Sequence, residues 1–370
     1  MIYFDNAATT YKKPKSVLRA LNYCLKKCGG NPGRSSHALS ERAGEIIYDT
    51  RERVAELLSI DAPERVVFTY NATHAINLAI KSFVTEKCHL ICSDIEHNSV
   101  IRPLEKLKKE LSIEYSTFDS NLNPEKAISP LIREDTKGII STLASNVTGK
   151  RIDIGALYKI AKEHGLFLIV DASQAIGHTE IDLSTTPCDV LCAPGHKALF
   201  GIQGVGFAVF RDIERKETLY EGGSGYDSTN TEMPALLPEG YEAGTPATPA
   251  IAALGGGIDF IKRVGIDAIE RKIELMTEAL ISRIGSVRDT ILYPSAFGTV
   301  GFNIKNLPSS YTGGVLSSNG ICARGGLHCA PSVHKKLGTL ECGIVRLSLS
   351  YFNTMREIDD FYKILKSINF

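Results

Sequence analysis

The sequence predicts an α/β protein, with a large domain built on a mainly parallel central sheet flanked by helices and a smaller α+β domain at the carboxyl end. Three observations carry this prediction. Gly165-Leu-Phe-Leu-Ile-Val-Asp171 and Asp189-Val-Leu-Cys192 are apolar runs, and strands of a parallel sheet covered on both faces have that composition. A connection of helix length separates them, as a crossover between parallel neighbours needs. From Ala252 to Gly285 a helical pattern then sets in, with Ile266, Ile269, Ile273, Met276 and Leu280 on one face. With 370 residues the chain is long enough for two units. The expected organisation is an arm over 1–14, a large domain over 15–255 and a small domain over 256–370.

Composition narrows the classes of partner. The formal net charge is zero, 43% of residues are hydrophobic and 23% are charged, which offers neither nucleic acid nor a membrane surface a basic face. No apolar run approaches bilayer-spanning length, and MIYFDNAATT lacks the basic start and long apolar segment of a signal peptide. A cytoplasmic protein is expected. Six of nine cysteines form pairs spaced CxxxC, namely Cys24/Cys28, Cys88/Cys92 and Cys188/Cys192. Such pairs suit a metal or cluster, but no third and fourth ligands follow at the right spacing, so buried, unpaired thiols in a reducing compartment are the better reading.

Each element follows in order. The arm Ile2-Tyr3-Phe4-Asp5-Asn6 leads into a helix over Pro14–Lys27 and a loop, Gly29–His37, whose Arg34 and His37 either reach an anion or sit in a solvated turn. From Ser36 a long helix packs Leu39, Ala43, Ile46, Thr50, Val54 and Leu57 on the core. The strand Arg65–Thr69 turns through Tyr70–His74 into a helix over Ala75–Phe83. Backbone amides at such a start, with a hydroxyl beside them, form a phosphate site. The strand His89–Ser93 precedes Ile95-Glu-His97-Asn-Ser99, and 101–135 reads as charged helix and connection. A buried strand from Gly138 ends at Asn146, either a ligand contact or a turn residue. Pro234–Pro249 is an extended loop.

The chemistry starts at Pro194-Gly-His196-Lys197, between a strand and the glycines 201, 204 and 206. A lysine desolvated there and close to other cations loses its proton readily, and its free amine condenses with an aldehyde, pyridoxal 5'-phosphate above all. Asp171 ends the preceding strand. It is either a helix N-cap or the partner of a pyridinium nitrogen, which makes the ring an electron sink. Near the carboxyl end, Cys329 lies in Arg324-Gly-Gly-Leu-His328-Cys329, a flexible, polar-flanked setting for a polarizable nucleophile. Cys322 is the weaker candidate. Arg346 alternates with apolar neighbours as in a half-buried strand and needs an anion.

These motifs, in this order from Tyr3-Phe-Asp-Asn-Ala-Ala-Thr-Thr10 to Arg346-Leu-Ser-Leu-Ser350, resemble the cysteine desulfurases and selenocysteine lyases of the class V aminotransferase superfamily, which are fold-type I pyridoxal-phosphate enzymes. The Cys329 loop resembles that of the second desulfurase group. The resemblance implies a homodimeric enzyme that converts L-cysteine to L-alanine and leaves a persulfide on Cys329. An acceptor or scaffold protein would then collect the sulfur for iron–sulfur assembly, thiolation or selenium metabolism. L-selenocysteine, or another β-lyase or aminotransferase substrate, is the alternative. It implies that Lys197 carries the cofactor, His97 stacks on its ring and is a candidate catalytic proton carrier, and Asp171 pairs with its nitrogen. Asn146 and Gln174 would face its phenolic oxygen, while Ala72, Thr73 and His196 hold its phosphate and Thr245 reaches the partner's phosphate. Arg346, with Asn146, would bind the substrate carboxylate, and Arg324 and His328 would favour the Cys329 thiolate. Three departures stand out: Asn71-Ala-Thr-His-Ala for Gly-Thr-Thr-Glu-Gly, Pro194 for serine, and Leu327 for a second histidine.

Overall fold

The computed structural model describes residues 1–33, 35–212, 214, 217–226 and 229–368; Arg34 lies outside them. The first half of the chain runs β1 (Ile2–Tyr3), α1 (Lys15–Lys27), α2 (Ala38–Leu57), β2 (Val66–Thr69), α3 (Ala72–Phe83), β3 (His89–Ser93) and α4 (Asn98–Glu110). It continues through β4 (Glu114–Phe118), α5 (Pro124–Ile128), β5 (Thr136–Thr142), α6 (Ile154–Glu163), β6 (Phe167–Asp171), β7 (Val190–Pro194) and β8 (Gly206–Phe210). After the long loop come α7 (Thr248–Val264), α8 (Ile266–Gly285), β9 (Thr290–Leu292), β10 (Thr299–Ile304) and α9 (Ser309–Ser318). The chain closes with β11 (Ile321–Cys322), β12 (Arg324–Gly326), α10 (Pro331–Leu337), β13 (Ile344–Ser348) and α11 (Met355–Ser367).

A seven-stranded sheet in the order β2-β8-β7-β6-β5-β3-β4 forms the centre. Its pairs from β7 across to β4 are parallel, and β8 alone runs antiparallel to both neighbours. The strands β2, β3, β5, β6 and β7 therefore end at one edge, where open sheets of this kind bind ligands. A second, antiparallel sheet is ordered β12-β13-β10-β9, and β1 pairs in parallel with β11. One apolar cluster runs from Phe4 through Leu168 to Phe361, so both sheets share a continuous core. Burying each of its large side chains stabilises the fold by roughly 1.5–3 kcal/mol. The expected junction at 255/256 lies within α7.

Three expectations are corrected. No helix forms between Asp171 and Asp189: Asp171 Oδ1 accepts the Ser173 N–H at 2.9 Å, and the connection is a series of turns. The strand β4 stands in the segment read as helix and connection; its residues are mostly exposed or half-buried, as suits a sheet edge. The pattern from Ala252 to Gly285 is two helices, separated at Gly265, whose φ of 87° is open to glycine and strained for other residues. On α2, Leu39 is exposed while Ala43, Ile47 and Val54 are buried.

Candidate active site

At the carboxyl edge of the large sheet a cavity of about 540 Å³ is lined by Ala72, Thr73, His97, Asn146, Asp171, Gln174, His196 and Lys197, among others. They arrive from five strand ends: Ala72 and Thr73 after β2, His97 after β3, Asn146 after β5, Asp171 and Gln174 at β6, and His196 and Lys197 after β7. Asp171 closes β6, and Lys197 follows three residues after β7. Burial pushes the Lys197 ammonium down to about 8; Asp171 opposes that shift, while Arg346 and Arg324 add to it. The loop bearing Lys197 is held in place by α7, where a Cβ on Gly257 would fall 1.9 Å from the Leu199 carbonyl oxygen.

Helix α3 begins earlier than its periodicity suggests, at Ala72, because Asn71 Oδ1 caps the His74 N–H at 2.9 Å. Thr73 thus sits in the first turn, where backbone N–H groups lack intrahelical partners. Its hydroxyl meets Ser99 Oγ at 2.8 Å, and Ser99 Oγ also meets His97 Nδ1 at 2.9 Å. His97 caps α4 by accepting the Ser99 N–H on Nδ1 at 3.0 Å, which leaves Nε2 as the protonated nitrogen of the neutral ring. Burial lowers its pKa, with Lys197 and the arginines adding to the shift and Asp171 opposing it. His196 bonds Thr9 through Nδ1, and burial lowers it to about 4.

The Cys329 loop docks on this edge through its backbone. The Asn98 N–H donates to the Cys329 carbonyl at 2.7 Å, and Asn146 Nδ2 donates to the His328 carbonyl at 2.6 Å. His328 and Cys329 have φ of 51° and 57°. That turn sends the two side chains apart: Cys329 is exposed, while His328 is buried, donates from Nε2 to the Ile344 carbonyl at 2.9 Å, and packs beside His334. Burial lowers His328 to about 3, so it is neutral and brings no positive charge to the thiol, contrary to the expectation from sequence. Arg324, opposite Arg346 in the β12/β13 register, is half-buried.

Arg346 has an anion already. Its Nη2 donates to Asp5 Oδ1 at 2.7 Å and its Nη1 to the Asn146 carbonyl at 3.0 Å. Gln174 lines the cavity and donates to the Ala7 carbonyl at 3.2 Å. Thr245 lies apart, accepting from Asn31 at 3.3 Å and lining a second cavity with Tyr70 and Tyr220. Sequence reasoning missed Asp5, Ser99 and the buried Glu96. Only the adjacency of Glu96 and Ser99 to His97, and of Asp5 to the arm's Asn6, pointed their way. All nine cysteines are free, and no group of three or more metal-ligating side chains occurs among the described residues.

Residues 2–361 match the aminotransferase class-V family. The chain belongs to that family. It is 31% identical to a probable cysteine desulfurase of Methanothermobacter thermautotrophicus over 99% of this chain and 94% of that one. It is 29% identical to a cysteine desulfurase of Salmonella agona over 97% and 91% of the two chains. An apo cysteine desulfurase structure from Thermococcus onnurineus superposes with a TM-score of 0.89, at 28% identity, covering 99% of this chain and 94% of that one. The fold is therefore that of the cysteine desulfurases, fold type I.

Proposed function

We propose that the protein is a pyridoxal-phosphate-dependent cysteine desulfurase, which converts L-cysteine to L-alanine and passes the sulfur through a persulfide on Cys329. The observation that carries this reading is the docking of the Cys329 backbone on the Asn98 N–H, beside the cavity that holds Lys197 and Asp171. The cavity fits the cofactor: it offers an amine with a lowered pKa, a carboxylate at a strand end, the buried and unpartnered Asn146 Oδ1, and the first-turn N–H groups and hydroxyl of α3. When bound, the cofactor supplies an electron sink that acidifies the substrate Cα–H.

The chain's own residues do the rest. Lys197 would hold the cofactor, and its amine, lowered to about 8, is suited to take the substrate Cα proton. Asp171 would keep the pyridine nitrogen protonated, His97 would cover the ring, and Asn146 and Gln174 would face its phenolic oxygen. Ala72, Thr73 and His196 would hold the phosphate. Arg346 grips the substrate carboxylate. The Cys329 thiolate attacks the substrate sulfur; as the S–S bond forms the C–S bond breaks, its electron pair stays with the carbon, which takes up a proton and becomes the methyl group of alanine, and Arg324 supplies the nearby positive charge. The exposed Cys329 then offers its outer sulfur to a thiol of an acceptor protein. Thr245, with the exposed Tyr70 and Tyr220, serves the site of a second copy in a homodimer. Among the described residues no helix is long and apolar enough to cross a membrane, and nine free thiols suit the reducing cytoplasm.

Two measurements test the reading. The protein reconstituted with pyridoxal 5'-phosphate is expected to show a visible absorbance band that Lys197→Ala abolishes. With L-cysteine and a reductant it is expected to yield alanine and sulfide, both lost in Cys329→Ser. Activity confined to L-selenocysteine would move the assignment to a lyase, and absence of the band would reject the cofactor.

A further inference from the structure

The Arg346 guanidinium is 1% exposed and has three nitrogens, of which protein groups hold two. Nη1 is bound to the Asn146 carbonyl and Nη2 to Asp5 Oδ1, whereas Nε is buried without a partner. Asp5 is itself fixed. It forms a bridge to Ser348, two residues beyond Arg346 on β13, and its carbonyl accepts from the Tyr3 hydroxyl at 3.3 Å and the Ala8 N–H at 3.2 Å. Asn6 clamps the same strand, donating from Nδ2 to the Ser348 carbonyl at 2.9 Å. The Asp5 carboxylate is therefore presented to the guanidinium by a backbone that cannot swing away without unpairing the arm.

We propose that Asp5 is the positioning residue of the substrate-carboxylate grip, fixing the Arg346 guanidinium through Nη2 so that it receives the incoming carboxylate without losing Asp5. Charge supports this arrangement. Arg324 stands across the strand from Arg346, and both guanidiniums act on Lys197. Asp5 cancels one of these two positive charges, and a substrate carboxylate cancels the other. If the substrate expelled Asp5 instead, a part-buried carboxylate would be left without its charged partner. The inference rests on the desulfurase reading and specifies how that site recognises an α-amino acid.

The test compares wild type, Asp5→Asn and Asp5→Glu as cofactor-loaded enzymes. It measures KM and kcat for L-cysteine, and the Kd of L-alanine and of cysteamine, an amine without a carboxylate, from the cofactor absorbance. In Asp5→Asn, KM for L-cysteine and Kd for L-alanine should rise roughly tenfold to a hundredfold, as expected for a lost charge-assisted bond. The kcat should stay within about threefold, because a grip made equally in ground and transition states affects KM. Cysteamine affinity should not change. Asp5→Glu keeps the charge with one more methylene and should fall between wild type and Asp5→Asn, which provides a reading even if the asparagine variant does not fold. An unchanged or lowered KM, equal weakening of cysteamine, or a wild-type-like Asp5→Glu would overturn the proposal. A wild type that turns over L-cysteine while the variants match it sinks this inference alone. A wild type that forms no alanine removes the desulfurase reading and this inference with it.

Discussion

Glu96 is fully buried between the ends of β3 and β5. Its Oε1 accepts from the Ser93 hydroxyl and from the Thr142 N–H, at 2.7 Å for the latter, while Oε2 is unpartnered. Burial pushes its pKa up to about 8, with Asp171 adding to the rise. The folded state thus binds a proton that the unfolded state releases near 4.5, and stability attributable to Glu96 falls as pH rises from 4.5 to about 8. Glu96→Gln, neutral at every pH, is expected to remove that slope; parallel urea midpoints for the two proteins across this range would contradict it. The residues singled out from sequence are chemically distinctive in their settings: Lys197, Asp171 and Cys329 stand at strand ends or in glycine-rich turns, and Arg346 is a charge within an apolar strand. Glu96, Ser99 and Asp5 were hidden because their meaning lies in contacts, with Thr142, Thr73 and Arg346, that no local pattern announces. The inward turn of His328 was equally hidden, since it depends on two consecutive left-handed residues that are not glycine.

At the scale of elements, α7 seats the lysine loop. Gly256 and Gly257 lie where a Cβ would meet the Ser16 carbonyl oxygen at 2.7 Å and the Leu199 carbonyl oxygen at 1.9 Å. Both neighbours are backbone, so neither can yield by a side-chain rotation. Gly257→Ala is expected to cost roughly 1–3 kcal/mol of stability through overpacking and to lower the amount of pyridoxal 5'-phosphate retained, because Leu199 lies two residues from Lys197. Denaturant midpoints and bound-cofactor absorbance would check both effects, and an unchanged midpoint would show that α7 can shift freely. The parallel strands were legible because both faces are buried and their sequences are continuously apolar. The edge strand β4 and the turn-only connection from β6 to β7 were not: the first has no buried face of its own, and the second has the length of a helix without a continuous run of its hydrogen bonds.

At the scale of the whole molecule, buried histidines contribute to acid tolerance, three of them most strongly. Burial lowers His196 and His178 to about 4 and His328 to about 3, each from an ordinary 6.5. Between 6.5 and 4 the unfolded chain binds protons that the folded one refuses, so stability rises with pH there and is lost as pH falls. In the Glu96→Gln background, where the opposing slope is absent, the urea midpoint should drop steadily from pH 6.5 to 4; a level midpoint would contradict the burial of these rings. The same molecule has its first residues bound to its last. The arm pairs with β11 and β13, and the Asp5 and Arg346 contact spans 341 positions. On a ribosome adding about 5–20 residues per second, Asp5 waits roughly 20–70 s before its arginine is made. Every newly made copy therefore passes through an interval in which the large sheet can form but the site cannot close, with the arm free for a chaperone, a protease or a neighbouring chain to take.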